Sequence, residues 1–457
     1  MRVAIRSPWD GAVVGEVPLT DPEALELAIS RATRAFEVMR ELPRHARSQI
    51  LSRAAALVED RAEALATQVV RESGKPLRFA RAEVTRTALT LRLGAHEALR
   101  LAGGEIPMDT DPRGNGRLAV TRWVPKGPIA GLAPFNFPLN LVAHKVAPAI
   151  AVGTTMVLKA APQSPLSAFA LAELLREAGL PDGALEVVHC PPDVAERMVR
   201  DDRLKVLSFT GSDRVGWYLK SIAGRKAVLL ELGGNAACLI DETADLAAAI
   251  PPIVTGAFAQ GGQICIKVQR LIATSEVYEA TLAAVIAAAR AVPCGDPMDP
   301  ATVVGPLIDE GHAARVLEWI DEAVAGGATL HCGGERHGAV VTPAVMSGVP
   351  RDTRLFRDEV FGPVLCVERA DGWDDALTRA NDTRFGLQAG VFTRDLGRAL
   401  KAFSRLEVGG VIVGDVPTFR VDSMPYGGTK DSGMGREGVA AAMRELAEER
   451  LLVLNAS

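Results

Sequence analysis

A chain of 457 residues is longer than a single hydrophobic core usually supports, so two or three structural units are expected. With 48% hydrophobic and 23% charged residues, the composition is that of a folded globular protein and excludes a disordered one. The formal net charge is only −5 and no basic block stands out, which leaves no electrostatic case for nucleic acid or an anionic membrane and makes a small molecule the expected partner.

Met1 to Val14 has strand-like composition, with a turn at Pro8 to Gly11 and no apolar signal core. No segment reaches the roughly 18 apolar residues of a membrane span, so a cytoplasmic address is expected. Asp21-Pro22-Glu23 is a helix start, with a capping carboxylate, a proline in the first turn and early negative charge. Leu25, Ile29, Ala32, Phe36 and Met39 then recur at steps of three and four and define one inward face. A second helix is predicted over Ala46 to Ser73, stopped by Gly74 and Pro76, and a third follows before Gly103-Gly104.

From Gly127 the texture changes. Short apolar runs at Ile129 to Ala133, Thr155 to Lys159, Leu185 to His189, Val206 to Thr210 and Val228 to Leu232 alternate with helical stretches. This is the pattern of a parallel, doubly wound α/β sheet, whose ligands gather beyond the carboxyl ends of the strands. A second alternating series, from Gly233 to Val413, predicts a second α/β unit. The polar stretch Asp109 to Thr121 and the terminal strand Leu451 to Leu454 read as an excursion that pairs with another subunit. The six cysteines lie far apart without CxxC spacing and are expected to be free thiols. His331, Cys332 and His337 come nearest to a metal cluster, but they flank Gly333-Gly334 in a turn, and no metal is expected.

Five segments carry candidate chemistry, four of them at turns after predicted strands. In Pro134-Phe135-Asn136-Phe137-Pro138 two prolines and two aromatics hold an amide that suits a developing oxyanion, or simply stiffen a turn. Thr210-Gly211-Ser212-Asp213 ends a strand and begins a helix whose N-terminus could hold a phosphate, although the spacing to Gly216 is neither GxGxxG nor a P-loop. Glu231 ends an apolar strand before Leu232-Gly233-Gly234, where burial would raise its pKa towards that of a general base; a plain ion pair with an arginine is the alternative. Cys265 follows Gly261-Gly262-Gln263-Ile264 and is either an exposed nucleophile or one more buried thiol. Glu359-Val360-Phe361-Gly362-Pro363 and Met424 to Gly433 are glycine-rich, loop-built regions.

Taken together and in this order, PFNFP, FTGS with a following VG, ELGG, GQxC, EVFGP and PYGGxKxSGxGRE resemble the aldehyde dehydrogenase family, with the strongest match over Gly127 to Gly438. The resemblance implies an α/β fold of two doubly wound domains with a small β oligomerisation arm. Residues 1–102 and 126–231 would form the cofactor domain, 232–441 the catalytic domain, and 103–125 with 442–457 the arm of a homodimer or homotetramer. It further implies Cys265 as nucleophile, Glu231 as the base that activates the deacylating water, and Asn136 in the oxyanion hole. NAD or NADP would be held by Lys159 at the adenosine ribose, Ser212 at the pyrophosphate, and Glu359 with Phe361 at the nicotinamide ribose and ring; Phe135, Gly211 and Leu232 are counted with them.

Four positions depart from the common family pattern. Pro162 replaces the acidic residue expected after Lys159, so NADP is expected to serve at least as well as NAD. His144 stands where Trp is frequent, Lys267 where a small residue follows the nucleophile, and Gly414 where Asn is common. His144 and Arg420 fall in segments that border the substrate entrance in the family. An entrance arginine would favour a small hydroxylated or anionic aldehyde, although Arg420 could equally be structural, paired with Asp422 or Asp415. Oxidation of such an aldehyde to its acid is the function expected, within a family that includes a lactaldehyde dehydrogenase-like branch. A thiol-dependent esterase or acyl-transfer enzyme on the same scaffold is the alternative, and a cofactor-binding scaffold without turnover a third.

Overall fold

The short apolar runs assemble, in the computed structural model that describes residues 1–455, into a six-stranded sheet. Its order is Gly433–Met434, Ala227–Glu231, Val206–Thr210, Ile129–Leu132, Met156–Lys159 and Leu185–Val188. Every pair is parallel except that of the edge strand Gly433–Met434. Each predicted strand lies within one residue of its observed ends. From Ile129–Leu132 the sheet first grows to one side, and the chain then returns to lay Val206–Thr210 on the other. The loops after these two strands therefore flank the switch point at which open α/β sheets bind ligands.

Helices cover both faces of this sheet, which is why its strands are apolar throughout. Helix Pro22–Glu41 starts at Asp21, whose side chain caps Ala24 N–H, and buries Leu25, Ile29, Ala32 and Met39. Phe36, expected on that face, is only half-buried, and Ala28 and Ala35 complete the face instead. The expected single helix to Ser73 is two, Arg44–Asp60 and Ala62–Ser73, broken at Arg61 with φ −107° and ψ 19°. Neither proline nor glycine marks the break, where the Arg61 guanidinium binds the distant Glu177 carboxylate. The stop at Gly74 is as read, with φ 72° in the left-handed region glycine favours.

A seven-stranded sheet forms the second unit, in the order Thr329–Cys332, Ala344–Ser347, Val364–Ala370, Arg270–Thr274, Ala237–Ile240, Gln388–Phe392 and Gly410–Val413. Only its first strand is antiparallel. Two details differ from the expected division. Gly433–Met434, placed in the second unit by sequence, pairs with Ala227–Glu231 of the first sheet. Helix Val439–Leu446 spans the boundary at 441 and buries Val439, Met443 and Leu446 in the core beneath the first sheet.

The terminal strand runs Ala447–Asn455, and its antiparallel partner is Arg117–Pro125 of the same chain, with Glu105–Ile106 beyond. The excursion and the terminal strand thus pair with each other within the chain, along a nine-residue strand on each side. The terminal strand is the outer strand of this sheet, and Leu451 to Leu454 are exposed. Residues 456 and 457 of this segment lie outside the described residues. Among the described residues, no helix is long and apolar enough to cross a membrane.

Candidate active site

Two cavities meet at one wall. A groove of about 760 Å³ opens over the switch point, and a chamber of about 320 Å³ lies behind it. Cys265, Glu231, Leu232, Thr210 and Leu141 line both.

The groove is built by backbone geometry. Ser212 precedes helix Asp213–Ile222 in extended conformation, and its hydroxyl makes no capping bond. The leading N–H groups of a ten-residue helix are thus free of a side-chain cap and suit a pyrophosphate. The helix packs close to the sheet at Gly216, where a Cβ would meet Leu232 at 2.4 Å. Lys159 ends its strand on the groove wall, with one long bond, 3.4 Å, to Ala160 O; burial pushes its pKa down. Across the groove, Glu359 accepts a hydrogen bond from Gly234 N at 3.0 Å, and burial pushes its pKa up to about 8. A Cβ on Gly233 would lie 2.4 Å from that carboxylate, which is why glycine stands there. Phe361 has φ 43°, a strained value for a residue with a side chain, and its ring meets Phe135 edge-on at 5.8 Å. Phe135, Lys159, Gly211, Ser212, Leu232, Glu359 and Phe361 thus all line one groove.

Cys265 lies not after a strand but before one, in the loop between the 3₁₀ turn Ala259–Gly262 and strand Arg270–Thr274. The turn carries three left-handed residues in succession, Gln260, Gly261 and Gly262. The Gln260 side chain donates to the Asn136 backbone carbonyl at 2.6 Å, and Asn136 Nδ2 donates to Gln263 O at 3.0 Å. One proton of the Asn136 amide is thereby used to fix its plane, and the nitrogen carries a second. A Cβ on Gly234 would come within 2.5 Å of Cys265 O, so this glycine packs directly against the Cys265 loop. Asn136 itself is held from behind: buried Glu83 accepts from Leu139 N and Asn140 N and pairs with buried Lys75.

Burial raises the Cys265 thiol to about 12, opposed by the Tyr426 hydroxyl, 2.9 Å from Sγ. Glu231 is buried, its Oε2 has no hydrogen-bond partner, and burial followed by repulsion from Glu437 holds its pKa well above the ordinary value. Glu437 moves the other way: burial alone would raise it, but Arg420, His144 and Lys145 together hold it low. Lys145 donates to Ser208 Oγ at 3.1 Å and Thr210 Oγ1 at 2.7 Å.

The chamber is mainly apolar, with Phe137, Ile264, Ile266 and Val416 in its wall and two arginines among them, Arg86 and Arg420. Arg420 donates to Glu437 at 2.7 Å and stacks on the Tyr426 ring at 3.9 Å, while its buried Nε has no acceptor. Its partner is thus Glu437, neither Asp422 nor Asp415. Asp422 is bound instead by Arg86 through both oxygens, by His144 Nε2 at 2.8 Å and by Asn140. His144 requires a correction. It is 1% exposed on a wholly buried helix, Asn140–Val152, and lines a separate small cavity beside Lys145 and Glu437, not the chamber. Burial pushes its pKa down, so it orients Asp422 from behind as a hydrogen-bond partner while Arg86 supplies the countercharge.

Sequence reading missed Glu437, Tyr426, Lys145 and Arg86. The first two stood inside the PYGGxKxSGxGRE segment, valued there only for its glycines; the other two sit in helices with nothing local to mark them. Gly414, the departure from Asn, has φ 80°, a conformation both residues tolerate. Among the described residues, no group of three His, Cys, Asp or Glu side chains could hold a metal.

A thiol between a groove shaped for a dinucleotide and a small chamber defines a dinucleotide-dependent oxidoreductase that works through a cysteine. The family model for the aldehyde dehydrogenase family matches residues 1–451. The chain is 40% identical over 455 residues to the 3-sulfolactaldehyde dehydrogenase of Priestia megaterium, covering 99% of this chain and 95% of that protein. The crystal structure of aldehyde dehydrogenase 21 from Physcomitrella patens, in complex with the reaction product succinate, is 40% identical and superposes with a TM-score of 0.98 over 100% of this chain and 95% of that one. Glyceraldehyde-3-phosphate dehydrogenase GapN from Methanocaldococcus jannaschii, complexed with NADP, is 34% identical with a TM-score of 0.95 over 99% of this chain and 98% of that one. The chain belongs to the aldehyde dehydrogenase family. It is an NAD(P)-dependent aldehyde dehydrogenase with that family's α/β fold.

Proposed function

We propose that this enzyme oxidises a small polar aldehyde bearing an anionic group, and that Cys265, Glu231 and Asn136 carry the chemistry. The observation behind the roles is that Cys265 and Glu231 stand in the one wall shared by groove and chamber. Cys265 Sγ adds to the aldehyde carbon, and the oxygen takes the charge against the free Asn136 N–H and the Cys265 backbone N–H. A nicotinamide ring held at Glu359 and Phe361 supplies the hydride acceptor. The thioester left on Cys265 is cleaved by a water that Glu231 deprotonates, so one difficult step becomes two easier ones.

The anionic group follows from Arg420. It lines the chamber, and a guanidinium suits a carboxylate, sulfonate or phosphate better than a hydrocarbon tail. The three relatives described above are named for a sulfonated aldehyde, a succinate product and a phosphorylated aldehyde. We expect kcat/KM for short anionic or hydroxylated aldehydes to exceed that for hexanal or benzaldehyde. Arg420→Ala should then cost the anionic substrates about tenfold or more, the value of one charged hydrogen bond. A preference for benzaldehyde, or an unchanged ranking in Arg420→Ala, would remove the argument.

For the cofactor, Pro162 and Gln163 line the groove beyond Lys159 and offer no carboxylate to repel a 2′-phosphate. Glu196, also on the wall, accepts from the Tyr218 hydroxyl at 2.9 Å and has the Arg200 guanidinium 4.0 Å away to offset its charge. NADP is therefore expected to give kcat/KM at least comparable with NAD; a hundredfold advantage for NAD in parallel titrations would overturn this.

The sheet edges at Gly410–Val413 and 447–454, with the exposed row Leu396, Leu400 and Phe403, support a homodimer or homotetramer with 103–125 and 442–455 as its arm. Light scattering in solution checks this, and a monomer would refute it.

A further inference from the structure

Tyr426 is fixed more firmly than a lining residue needs. Its backbone is bonded to Glu437 in both directions, N to O at 2.9 Å and O to N at 2.6 Å. Its ring packs on Ile266 and Leu387 and lies under the Arg420 guanidinium at 3.9 Å, and Arg420 is itself anchored on Glu437 at 2.7 Å. This clamp holds the hydroxyl 2.9 Å from Cys265 Sγ. With a neutral thiol either atom can donate, but a thiolate has no proton, so only the phenol can. The phenol keeps its proton to donate, because burial and the neighbouring sulfur hold its pKa well above the ordinary value. A cation on the ring face draws density from the oxygen and makes the O–H a better donor. Hydrogen bonds to a charged acceptor are the strong ones.

We propose that Tyr426 is a catalytic residue: its phenolic O–H donates a hydrogen bond to the Cys265 thiolate, favouring the ionised nucleophile and aiming it until it adds to the aldehyde. This rests on Cys265 being the nucleophile. As the S–C bond forms, the carbonyl π pair moves to oxygen, sulfur loses its negative charge, and the bond from the phenol weakens. Tyr426 keeps its proton throughout; the thiol proton has already left to solvent or to Glu231. The sulfur is therefore gripped when it must be ionised and released as it becomes a neutral sulfide.

The experiment needs no aldehyde. Full-length enzyme is treated with iodoacetamide across a range of pH, and alkylation is followed by mass spectrometry at the peptide containing Cys265; the S–C bond forms as iodide leaves. In Tyr426→Phe the rising limb of the pH–rate profile should move up by about one pH unit, a tenfold lower thiolate fraction at a given pH. The melting temperature and the NADP Kd should stay at the wild-type values. Site-specific replacement of Tyr426 by 3-fluorotyrosine, which keeps the shape but has a more acidic hydroxyl, should move the limb down. That opposite sign separates donation from packing, and this variant carries the test if Tyr426→Phe does not fold. A limb unmoved in Tyr426→Phe, or moved up in the fluorotyrosine enzyme, overturns the proposal. Because the assay contains no aldehyde, its failure leaves the substrate reading untouched, and a failed aldehyde panel leaves this hydrogen bond untouched.

Discussion

Cys265→Ala is expected to lose at least about 10⁴-fold in kcat for aldehyde oxidation, the scale seen when a covalent nucleophile is removed, while fold and cofactor binding persist. No other thiol reaches the shared wall: Cys190, Cys238 and Cys366 are buried elsewhere, and Cys294 and Cys332 lie outside both cavities. The phenol of Tyr426 is held protonated. Without the thiohemiacetal, the aldehyde has no electron pair poised to expel hydride. The check is the absorbance of reduced nicotinamide during turnover, beside a fluorescence titration of cofactor binding; turnover near the wild-type rate would end the assignment. Burial holds the thiol pKa up, to about 12, and the Tyr426 hydroxyl opposes that rise.

Glu231→Gln is expected to stop the second half of the reaction and spare the first. Hydride transfer precedes the step that needs the base, so one equivalent of reduced cofactor per site should form in a burst, followed by a steady rate about 10² to 10⁴ lower than wild type. Glutamine keeps the shape of the side chain, which separates loss of the base from loss of packing. The pH dependence has a definite sign. A base works deprotonated, and burial with repulsion from Glu437 raises the Glu231 pKa, so wild-type deacylation should climb with pH through that raised value. The Gln variant should lack this climb. A variant with full steady turnover, or one with no burst, would take the role away from Glu231.

What could be read along the chain is what local chemistry dictates. Asp21-Pro22 begins a helix and Gly74 ends one wherever they stand, because capping and positive φ are satisfied within a few residues. The parallel strands of the first sheet were legible because burial on both faces requires unbroken apolar runs. Asn136, Glu231, Cys265 and Glu359 were legible because each sits beside glycines or prolines that only a special backbone explains: Gly233 and Gly234 would clash with Glu359 and Cys265 O if they carried a Cβ.

What the sequence alone could not decide is which charged side chains face one another. Tyr426 and Cys265 are 161 positions apart, and His144 and Asp422 are 278 apart. Neither neighbour's presence alters local propensity, so no pattern announces these pairs. For the same reason Arg420 found Glu437 and not a nearby aspartate, and His144 fell behind the chamber wall. The terminal strand's partner was likewise settled by which edge the folded chain brought within reach. Local sequence marked the candidate groups and the turns that carry them; their pairing and their protonation were decided by the tertiary structure, because electrostatics depends on distance in space and on burial, and neither is written in sequence separation.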